Sequence, residues 1–278
     1  MNTLGNNILA AMQPVQTDDL VRIGRKEDGG YVINGRVLED SGLVSFGIND
    51  DWSFEKAFHL LSKRPVKMFD GSVSIQKFKT DYANAIMEYG SLKYLYALTR
   101  IPGSFTRQEK NRKHAQAVNR EFQQFLSVPS VEFESCFISN MNDGFSKNIE
   151  DIVAELNKNQ SWFVKMDIES HEYRVIPCLA ENYHCLSGMT IEFHDMDMLT
   201  DLFLDQLEML KKDFVITHIH ANNYNPVHPK IGIPACWEIS LLNKSYMKNE
   251  TQLVNGSYPL VGLDFPNESG KPDFEFSF

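Results

Sequence analysis

The chain has 278 residues, of which 42% are hydrophobic, so it can bury a sizeable core. This length suits one α/β domain that carries an insertion. The formal net charge of -10 and the pI near 5.3 disfavour nucleic acid and anionic membranes as main partners, because both select cationic surfaces. We therefore expect a small molecule as the partner.

The first residues lack a basic segment followed by an apolar core, and nowhere do eighteen apolar residues run together. These features predict a cytoplasmic protein with no membrane span. The four cysteines form no CxxC pair, and we expect them to be free and buried.

A β-hairpin is predicted at residues 22–33, RIGRKEDGGYVI. The glycines Gly29 and Gly30 supply the positive φ that hairpin turns need. We expect residues 1–40 to form a helix and this hairpin as a cap, and residues 41–278 to form the main domain.

The segment 43–55, LVSFGINDDWSFE, predicts a strand, a tight loop and a helix. Such a unit presents free backbone N–H groups at the helix N-terminus, and Gly47 leaves room beside them for a nucleotide-like ligand. A single glycine after a strand also occurs in sheets that bind no ligand.

An acidic residue follows the next apolar run. Val66–Phe69 ends in Asp70, about twenty residues after the turn, where nucleotide-binding folds place an acid on the ribose hydroxyls. Asp70 followed by Gly71 and Ser72 is also typical of a turn or a helix cap. The glycine turn and the acid together favour a nucleotide site.

Residues 75–128 are longer than the usual crossover between adjacent parallel strands. Helical spacing is kept by Ala115, Val118, Phe122 and either Phe125 or Leu126. Pro102-Gly103 should separate two helices. We predict a helical insertion that caps the site or forms a homo-oligomer contact; the alternative is that these helices only cover one face of the sheet.

Strands and helices alternate along the rest of the chain. Strands are predicted from Val131 and at Trp162–Asp167, Met189–His194, Phe214–His220 and Trp237–Leu242. Helices are predicted at residues 149–156, 171–183 and 199–210. This alternation predicts an α/β fold with a mostly parallel, seven-stranded sheet and helices on both faces.

Ligands of such a sheet collect at the carboxyl ends of the strands. This rule places seven of the residues on one rim of the sheet: Gly47, Asp70, Asp167, Glu192, His194, His218 and His220. Residues two apart share a strand face, so Glu192 lies beside His194, and His218 beside His220. With Asp167 and Glu169 they could meet around a divalent ion, Mg²⁺ or Mn²⁺ if oxygen ligands dominate. Each histidine alone also fits a hydrogen-bonded structural role.

Three segments resemble S-adenosylmethionine-dependent methyltransferases of the FkbM type. They are FGIND with the helix DWSFE, then VKMDIESHEY, which resembles the family signature K-[IM]-D-[IV]-E-G-x-E, and MTIEFHD. The resemblance spans about residues 20–245 and implies a Rossmann-like class I methyltransferase fold. Ser170 stands where the signature has glycine, and the first motif lacks a full GxGxG, so we expect atypical cofactor contacts.

The resemblance also implies roles for the matching residues. Asp167 would sit beside the transferable methyl group of S-adenosylmethionine. Cofactor contacts are implied for Gly47, Asn49 and Glu55 at the methionine end, for Asp70 at the ribose, and for Ser72 and Ser139 at the adenine.

The polar and aromatic residues 218–224 and 234–238 resemble a bacterial subgroup of this family and suit a carbohydrate acceptor. A sugar hydroxyl is a poor nucleophile near neutral pH, so a base or a metal must activate it. We predict a divalent metal held by Asp167, His194 and His220, with Glu192 or His218 as the base or as a partner of a ligand. The predicted function is O-methylation of a sugar or nucleotide sugar in bacterial surface-polysaccharide biosynthesis.

Two other classes of protein stay open. A nicotinamide-dependent oxidoreductase would use a similar first strand and ribose acid, but it requires GxGxxG, which the chain lacks. A non-catalytic carbohydrate-binding or scaffold protein on a degenerate methyltransferase fold would fit the incomplete first motif.

Overall fold

The computed structural model describes residues 2–99, 104–156, 158–248 and 252–278. Its helices are α1 Thr3–Ala11, α2 Val37–Asp40, α3 Ser53–Ser62, α4 Ile75–Thr99, α5 Ser104–Leu126, α6 Ile149–Glu155, α7 Glu172–Glu181 and α8 Thr200–Leu210. Its strands are β1 Leu20–Ile23, β2 Tyr31–Asn34, β3 Gly42–Phe46, β4 Val66–Phe69, β5 Val131–Glu134, β6 Phe137–Ser139, β7 Ser146–Asn148, β8 Trp162–Met166, β9 Leu186–Phe193, β10 Phe214–Ala221, β11 Trp237–Asn243, β12 Ser257–Tyr258 and β13 Phe276–Ser277.

Seven of these strands form one sheet in the order β10, β11, β9, β8, β3, β4, β5. Neighbours are parallel except for β11, which is antiparallel to β10 and to β9. From β3 the chain builds outward to β4 and β5 on one side and later to β8 and β9 on the other, so the strand order reverses between β3 and β8. The predicted α/β fold, a mostly parallel seven-stranded sheet with helices on both faces, is confirmed.

Helices cover both faces of this sheet, and each face has its own hydrophobic core. Leu43 and Val44 are neighbours on β3 yet belong to different cores, because successive strand side chains point to opposite faces. One core takes Phe54 and Phe58 from α3, and the other takes Phe203 from α8. Strands buried on both faces are apolar along their whole length, which is why β3 and β8 read as continuous apolar runs.

The predicted hairpin is formed by β1 and β2, which pair in antiparallel register from Leu20 opposite Asn34 to Ile23 opposite Tyr31. Tyr31 is almost fully buried, and its ring packs edge-on against Phe54 of α3. The hairpin thereby carries the hydroxyl of Tyr31 to the carboxyl edge of the sheet.

The helical insertion consists of α4 and α5. At its base the ring of Phe122 is fully buried, with its centroid 4.8 Å from that of Trp52 and 5.0 Å from that of Phe78. The described part of the insertion therefore covers the α3 face of the sheet, and His114 also reaches Asp50 in the loop after β3, at 3.3 Å. Pro102-Gly103 lies outside the described residues, and the oligomer contact stays a prediction.

The C-terminal segment, residues 252–278, packs across the ends of β10 and β11. Its Phe276 ring lies 5.2 Å from Trp237 and 5.1 Å from Tyr258, measured between centroids. Asn223 and Glu268 exchange hydrogen bonds, with Asn223 Nδ2 donating to the Glu268 carbonyl and the Glu268 N–H donating to Asn223 Oδ1. These contacts hold the segment against the sheet beside the carboxyl edge.

Two local expectations are corrected. The apolar run from Val131 is divided, because β5 ends at Glu134 and Phe137–Ser139 pairs separately with β7. The four cysteines are free, but only Cys236 is fully buried. Within the described ranges, no helix has both the length and the apolar composition that crossing a membrane requires.

Candidate functional site

A cavity of about 920 Å³ opens at the carboxyl ends of β3, β4, β8 and β9, beside the point where the strand order reverses. Its volume is typical of small-molecule sites, and its position is the one that open α/β sheets use. The predicted site residues that line it are Gly47, Asn49, Asp70, Ser72, Asp167, Glu192 and His194.

Gly47 brings the loop after β3 against the end of β8. Its φ of +76° is in the left-handed region, and an added Cβ would overlap the backbone oxygen of Asp167. Nζ of the buried Lys165 donates a hydrogen bond to the Gly47 carbonyl. Glycine is thus required here by the approach of two backbone segments, whether or not a ligand approaches as well.

Asp70 joins the loops that follow β3 and β4. Its Oδ2 accepts hydrogen bonds from the backbone N–H groups of Ile48 and Asn49, both at 2.8 Å. Its Oδ1 accepts from the N–H and the hydroxyl of Ser72, at 2.7 and 2.6 Å. Burial alone would raise the pKa of Asp70, but these bonds outweigh it and lower the pKa. Among the four donors, the Ser72 hydroxyl can rotate away to admit another one.

Four side chains converge where β8 and β9 end. Nε2 of His194 lies 3.8 Å from Asp167 Oδ1, 3.8 Å from Glu192 Oε1 and 3.7 Å from Glu169 Oε2. These distances exceed those of hydrogen bonds. His194 Nε2 and the three carboxylates therefore surround one small space, and Nε2 makes no hydrogen bond to any of the three.

Glu192 is 3% exposed and is held by neutral donors. Asn222 Nδ2 donates to Oε1 at 2.7 Å, and the Tyr31 hydroxyl donates to Oε2 at 3.1 Å. Burial, followed by the negative charge of Asp167, raises the pKa of Glu192.

His194 is fixed from behind by Glu172, the first residue of α7. Nδ1 lies 3.1 Å from Glu172 Oε1, which also accepts the Ile168 N–H at 2.9 Å. Burial alone would lower the pKa of His194, but the bond to Glu172 and the nearby carboxylates raise it to about 10. Since Nδ1 is engaged with Glu172, Nε2 is the nitrogen that faces the cavity.

The donors around His194 form two sets that fit a divalent ion. One set is Asp167, Glu169 and His194, and the other is Glu192, His194 and Cys236. Within each set the donor atoms lie within 4.8 Å of one another. Carboxylate oxygens with one imidazole suit Mg²⁺ or Mn²⁺, whereas a thiolate favours a softer metal.

The predicted grouping of His218 and His220 with these residues is corrected. Nε2 of His218 lies 3.0 Å from Asp264 Oδ1, and Nε2 of His220 lies 3.1 Å from Asp273. Neither histidine lines the cavity. The reason is the C-terminal segment, which brings both carboxylates onto β10 and uses the two histidines to hold itself in place.

Glu55 and Ser139 are also displaced from their predicted roles. Glu55 is 1% exposed, and its Oε1 accepts a hydrogen bond from Ser45 Oγ at 2.5 Å. Burial raises the pKa of Glu55. Ser139 is 4% exposed, and its hydroxyl faces Asn140. Both side chains lie behind the cavity wall, whereas Phe137 and Ile138 line it.

Several lining residues were not among the predicted ones. Lys165 had a signal in the sequence, because it lies two residues before Asp167 and so shares its strand face. The strand has only this one charge among apolar residues, WFVKM. Asn222 lies in the segment 218–224, which was predicted to suit the acceptor, whereas Asn267 had no signal, because its position depends on the packing of the C-terminal segment. Tyr31 does not line the cavity but reaches Glu192 from the hairpin, and no local pattern predicted this contact. Ser170, where the signature has glycine, adopts a φ of +70°.

The sequence matches no protein-family model and no curated protein. The solved structures to which this chain is similar include a Methanococcus jannaschii fibrillarin pre-rRNA processing protein, with 10% identity, a TM-score of 0.36, and 87% of this chain and 76% of that chain covered. A spermidine synthase from Thermotoga maritima has 9% identity, a TM-score of 0.36, and coverage of 74% and 54%. A 23S rRNA methyltransferase has 7% identity, a TM-score of 0.37, and coverage of 78% and 69%. Likenesses this distant carry no argument about activity.

Proposed function

We propose that the chain is an S-adenosylmethionine-dependent O-methyltransferase of the FkbM type. Its acceptor would be a hydroxyl of a sugar or nucleotide sugar in bacterial surface-polysaccharide biosynthesis. The single observation that carries the proposal is that Asp70 and Asp167, which follow different strands, line one cavity at the switch point of the sheet. An acid for the ribose and an acid for the reacting end must share a cavity if one cofactor is to touch both.

The residues present fit such a cofactor. The cavity extends from Asp167 past Gly47 to Asp70, and then to Phe137. The Phe137 ring is half exposed and lies so close to Gly71 that an added Cβ would overlap it. An exposed aromatic ring beside the ribose acid can stack on a purine. We assign the methionine end to Gly47 and Asn49, the ribose to Asp70, and the adenine to Phe137 and Ser72.

Methyl transfer is an in-line displacement, so the acceptor oxygen must lie opposite the sulfur and lose its proton. Positioning supplies much of the acceleration. Glu192 is the proposed base, because its carboxylate lines the cavity beside Asp167 and is held in place by Tyr31 and Asn222. His218, the other predicted candidate, is bonded to Asp264 away from the cavity.

A divalent ion would be held by Asp167, Glu169 and His194, in place of the set that included His220. Such an ion would lower the pKa of an acceptor hydroxyl and orient it. Binding at Nε2 requires that nitrogen to be unprotonated, so the ion would displace the Nε2 proton, and the contact of Nδ1 with Glu172 would keep the remaining proton on Nδ1.

Two measurements test the function. Calorimetry with S-adenosylhomocysteine should show binding with one site per chain. A labelled methyl donor and a panel of sugars and nucleotide sugars should then give an acceptor that gains one methyl by mass spectrometry. Failure to bind S-adenosylhomocysteine would contradict the proposal and favour the non-catalytic scaffold. A bound nucleotide with the ultraviolet absorbance of a nicotinamide cofactor in the purified protein would favour the oxidoreductase.

A further inference from the structure

The charges on the cavity wall limit what the acceptor can be. Among the described residues that line it, eight are Asp or Glu and two are Lys or Arg. Arg25 and Lys165 are already engaged, and Nε2 of His194, which also faces the cavity, lies within 3.8 Å of Asp167, Glu169 and Glu192. Arg25 Nε lies 3.1 Å from Asp51 Oδ2, and Lys165 donates to the Gly47 carbonyl and lies 3.9 Å from Asp167. A phosphate entering this cavity would therefore meet an excess of carboxylates, and Arg25, Lys165 and His194 each lie close to one or more of those carboxylates already.

The part of the cavity wall beside Glu192 is built from three separate segments. The hairpin turn supplies Asp28, the residues after β10 supply Asn222 and Tyr224, and the C-terminal segment supplies Asn267. Asn267 Nδ2 donates to Glu238 Oε1 at 2.6 Å and lies 3.4 Å from Asp28 Oδ1. This part of the wall is therefore held together by amide-to-carboxylate hydrogen bonds.

One buried acceptor in this part of the wall lacks a partner. Asn267 is 3% exposed, and its Oδ1 has no hydrogen bond. A buried polar atom without a partner is costly, and a ligand hydroxyl can supply the missing donor. The ring of Tyr224 is half exposed nearby and offers an apolar platform. Carboxylates and amide oxygens call for ligand groups that donate, as hydroxyls do, whereas a phosphate only accepts.

We propose that the acceptor is an uncharged, polyhydroxylated molecule, a glycoside without phosphate, held between Asp28, Asn267 and Tyr224. This decides between the free sugar and the nucleotide sugar that the proposed function leaves open. The methyl transfer rests on the proposed function, but the discrimination by charge does not, because it depends only on the cavity wall.

The test compares ligands in matched pairs. Each pair is a methyl glycoside and the same sugar as its phosphate or its uridine diphosphate conjugate. Dissociation constants are measured by calorimetry on the whole chain, with and without saturating S-adenosylhomocysteine, and methyl gain is measured with the labelled donor. We expect the uncharged member of a pair to bind at least tenfold more tightly and to be the one methylated.

A charge-neutral variant at the proposed site sharpens the comparison. Asp28→Asn keeps an oxygen for the Gly29 N–H and for Asn267 Nδ2. It should reduce the preference for the uncharged member about tenfold, equivalent to ~1.4 kcal/mol. Asp18→Asn, an exposed position outside the cavity, removes the same charge and should leave the preference unchanged.

The outcomes separate the two proposals. Tighter binding or preferred methylation of the phosphorylated member, with or without added Mg²⁺, would overturn the charge discrimination while the methyltransferase function stands. Binding of S-adenosylhomocysteine without binding of any uncharged sugar at millimolar concentration would overturn it too. Failure of the protein to bind S-adenosylhomocysteine would overturn the proposed function. The comparison of uncharged and phosphorylated ligands would still test whether the cavity discriminates by charge.

Discussion

The carboxylate of Asp273 lies 3.1 Å from Nε2 of His220, although the two residues are 53 positions apart. Nδ1 of the same ring lies 3.4 Å from Glu238 Oε2. These three side chains are 3%, 10% and 4% exposed, in the order His220, Asp273 and Glu238. Their contact fixes the C-terminal segment on β10 and β11, and that segment carries Asn267 into the cavity wall. The cavity therefore depends on ion pairs whose own residues do not line it.

This arrangement predicts a pH dependence of stability. Burial alone would lower the pKa of His220, but hydrogen bonds to Asp273 and Glu238 raise it to about 10. A raised folded-state pKa means that the stabilisation is fully present below about 6.5 and is lost as pH rises through about 10. His220→Asn should cost ~3 kcal/mol at pH 6 in urea unfolding, because it leaves two buried carboxylates unpaired.

The difference in the free energy of unfolding between the native protein and His220→Asn should shrink as pH rises toward 10. The reference is His184→Asn, a histidine outside this network whose burial is low. The free energy of unfolding is plotted against pH for the native protein and for His220→Asn. Plots that stay parallel from pH 6 to pH 10 would show that the His220 ring is not protonated in the folded state.

Local sequence patterns predicted the fold well because they reflect which side chains of a strand or helix are buried. The apolar runs of β3 and β8 and the spacing on α3 follow from burial on both faces of the sheet. The rule on strand ends then placed Asp70, Asp167, Glu192 and His194 correctly on one cavity.

The errors at the site have a common cause. His218 and His220 have the same period-two pattern as Glu192 and His194, but their partners Asp264 and Asp273 lie 46 and 53 residues later. No local pattern reports such pairing. Glu55 was misplaced because its position on α3 turns it toward Ser45, behind the cavity wall.

Asp70→Asn should destabilise the fold and weaken S-adenosylhomocysteine binding. An amide in place of the carboxylate turns an NH₂ group toward N–H donors, either those of Ile48 and Asn49 or that of Ser72. We expect a loss of ~2 kcal/mol at pH 7 in urea unfolding. Because the pKa of Asp70 is lowered in the fold, this contribution is present above about pH 4 and is lost as pH falls through the folded-state value.

Asp50→Asn is the matched control for Asp70→Asn. Asp50 lines the same cavity but is exposed, and its carboxylate contacts only the exposed ring of His114 among the described interactions. We expect this change to lower the free energy of unfolding by less than about 0.5 kcal/mol. Equal losses in the two variants would mean that cavity charge, rather than the hydrogen bonds of Asp70, sets the stability.

Gly47→Ala should be costly for two separable reasons. A φ of +76° strains any side chain, and the new Cβ would push against the Asp167 backbone. Gly262→Ala isolates the first reason, because Gly262 has a φ of +84° with open space around it. In thermal or urea unfolding, we expect Gly262→Ala to lower the free energy of unfolding by ~1 kcal/mol and Gly47→Ala to lower it by at least twice as much.

Only Gly47→Ala should also reduce methyl transfer, since it moves Asp167 away from the reacting end of the cavity. Transfer rates per folded molecule are compared for the two variants. If Gly262→Ala reduces the rate as much, the effect arises from general loosening of the fold and not from the contact between β3 and β8.

The role of Asp167 can be separated from that of the cofactor contacts. Asp167→Ala should reduce methyl transfer by ~10² or more, yet leave S-adenosylhomocysteine binding largely intact, because the proposed ribose and adenine contacts are made by Asp70 and Phe137, which line another part of the cavity. Glu169→Gln should weaken Mn²⁺ binding about tenfold in a spectroscopic titration. Glu208→Gln, a surface carboxylate on α8 paired with Lys211, should leave Mn²⁺ binding unchanged. If transfer persists after Asp167→Ala and after dialysis against a chelator, metal assistance is ruled out, and the carboxylates around His194 serve only to attract the positive sulfonium.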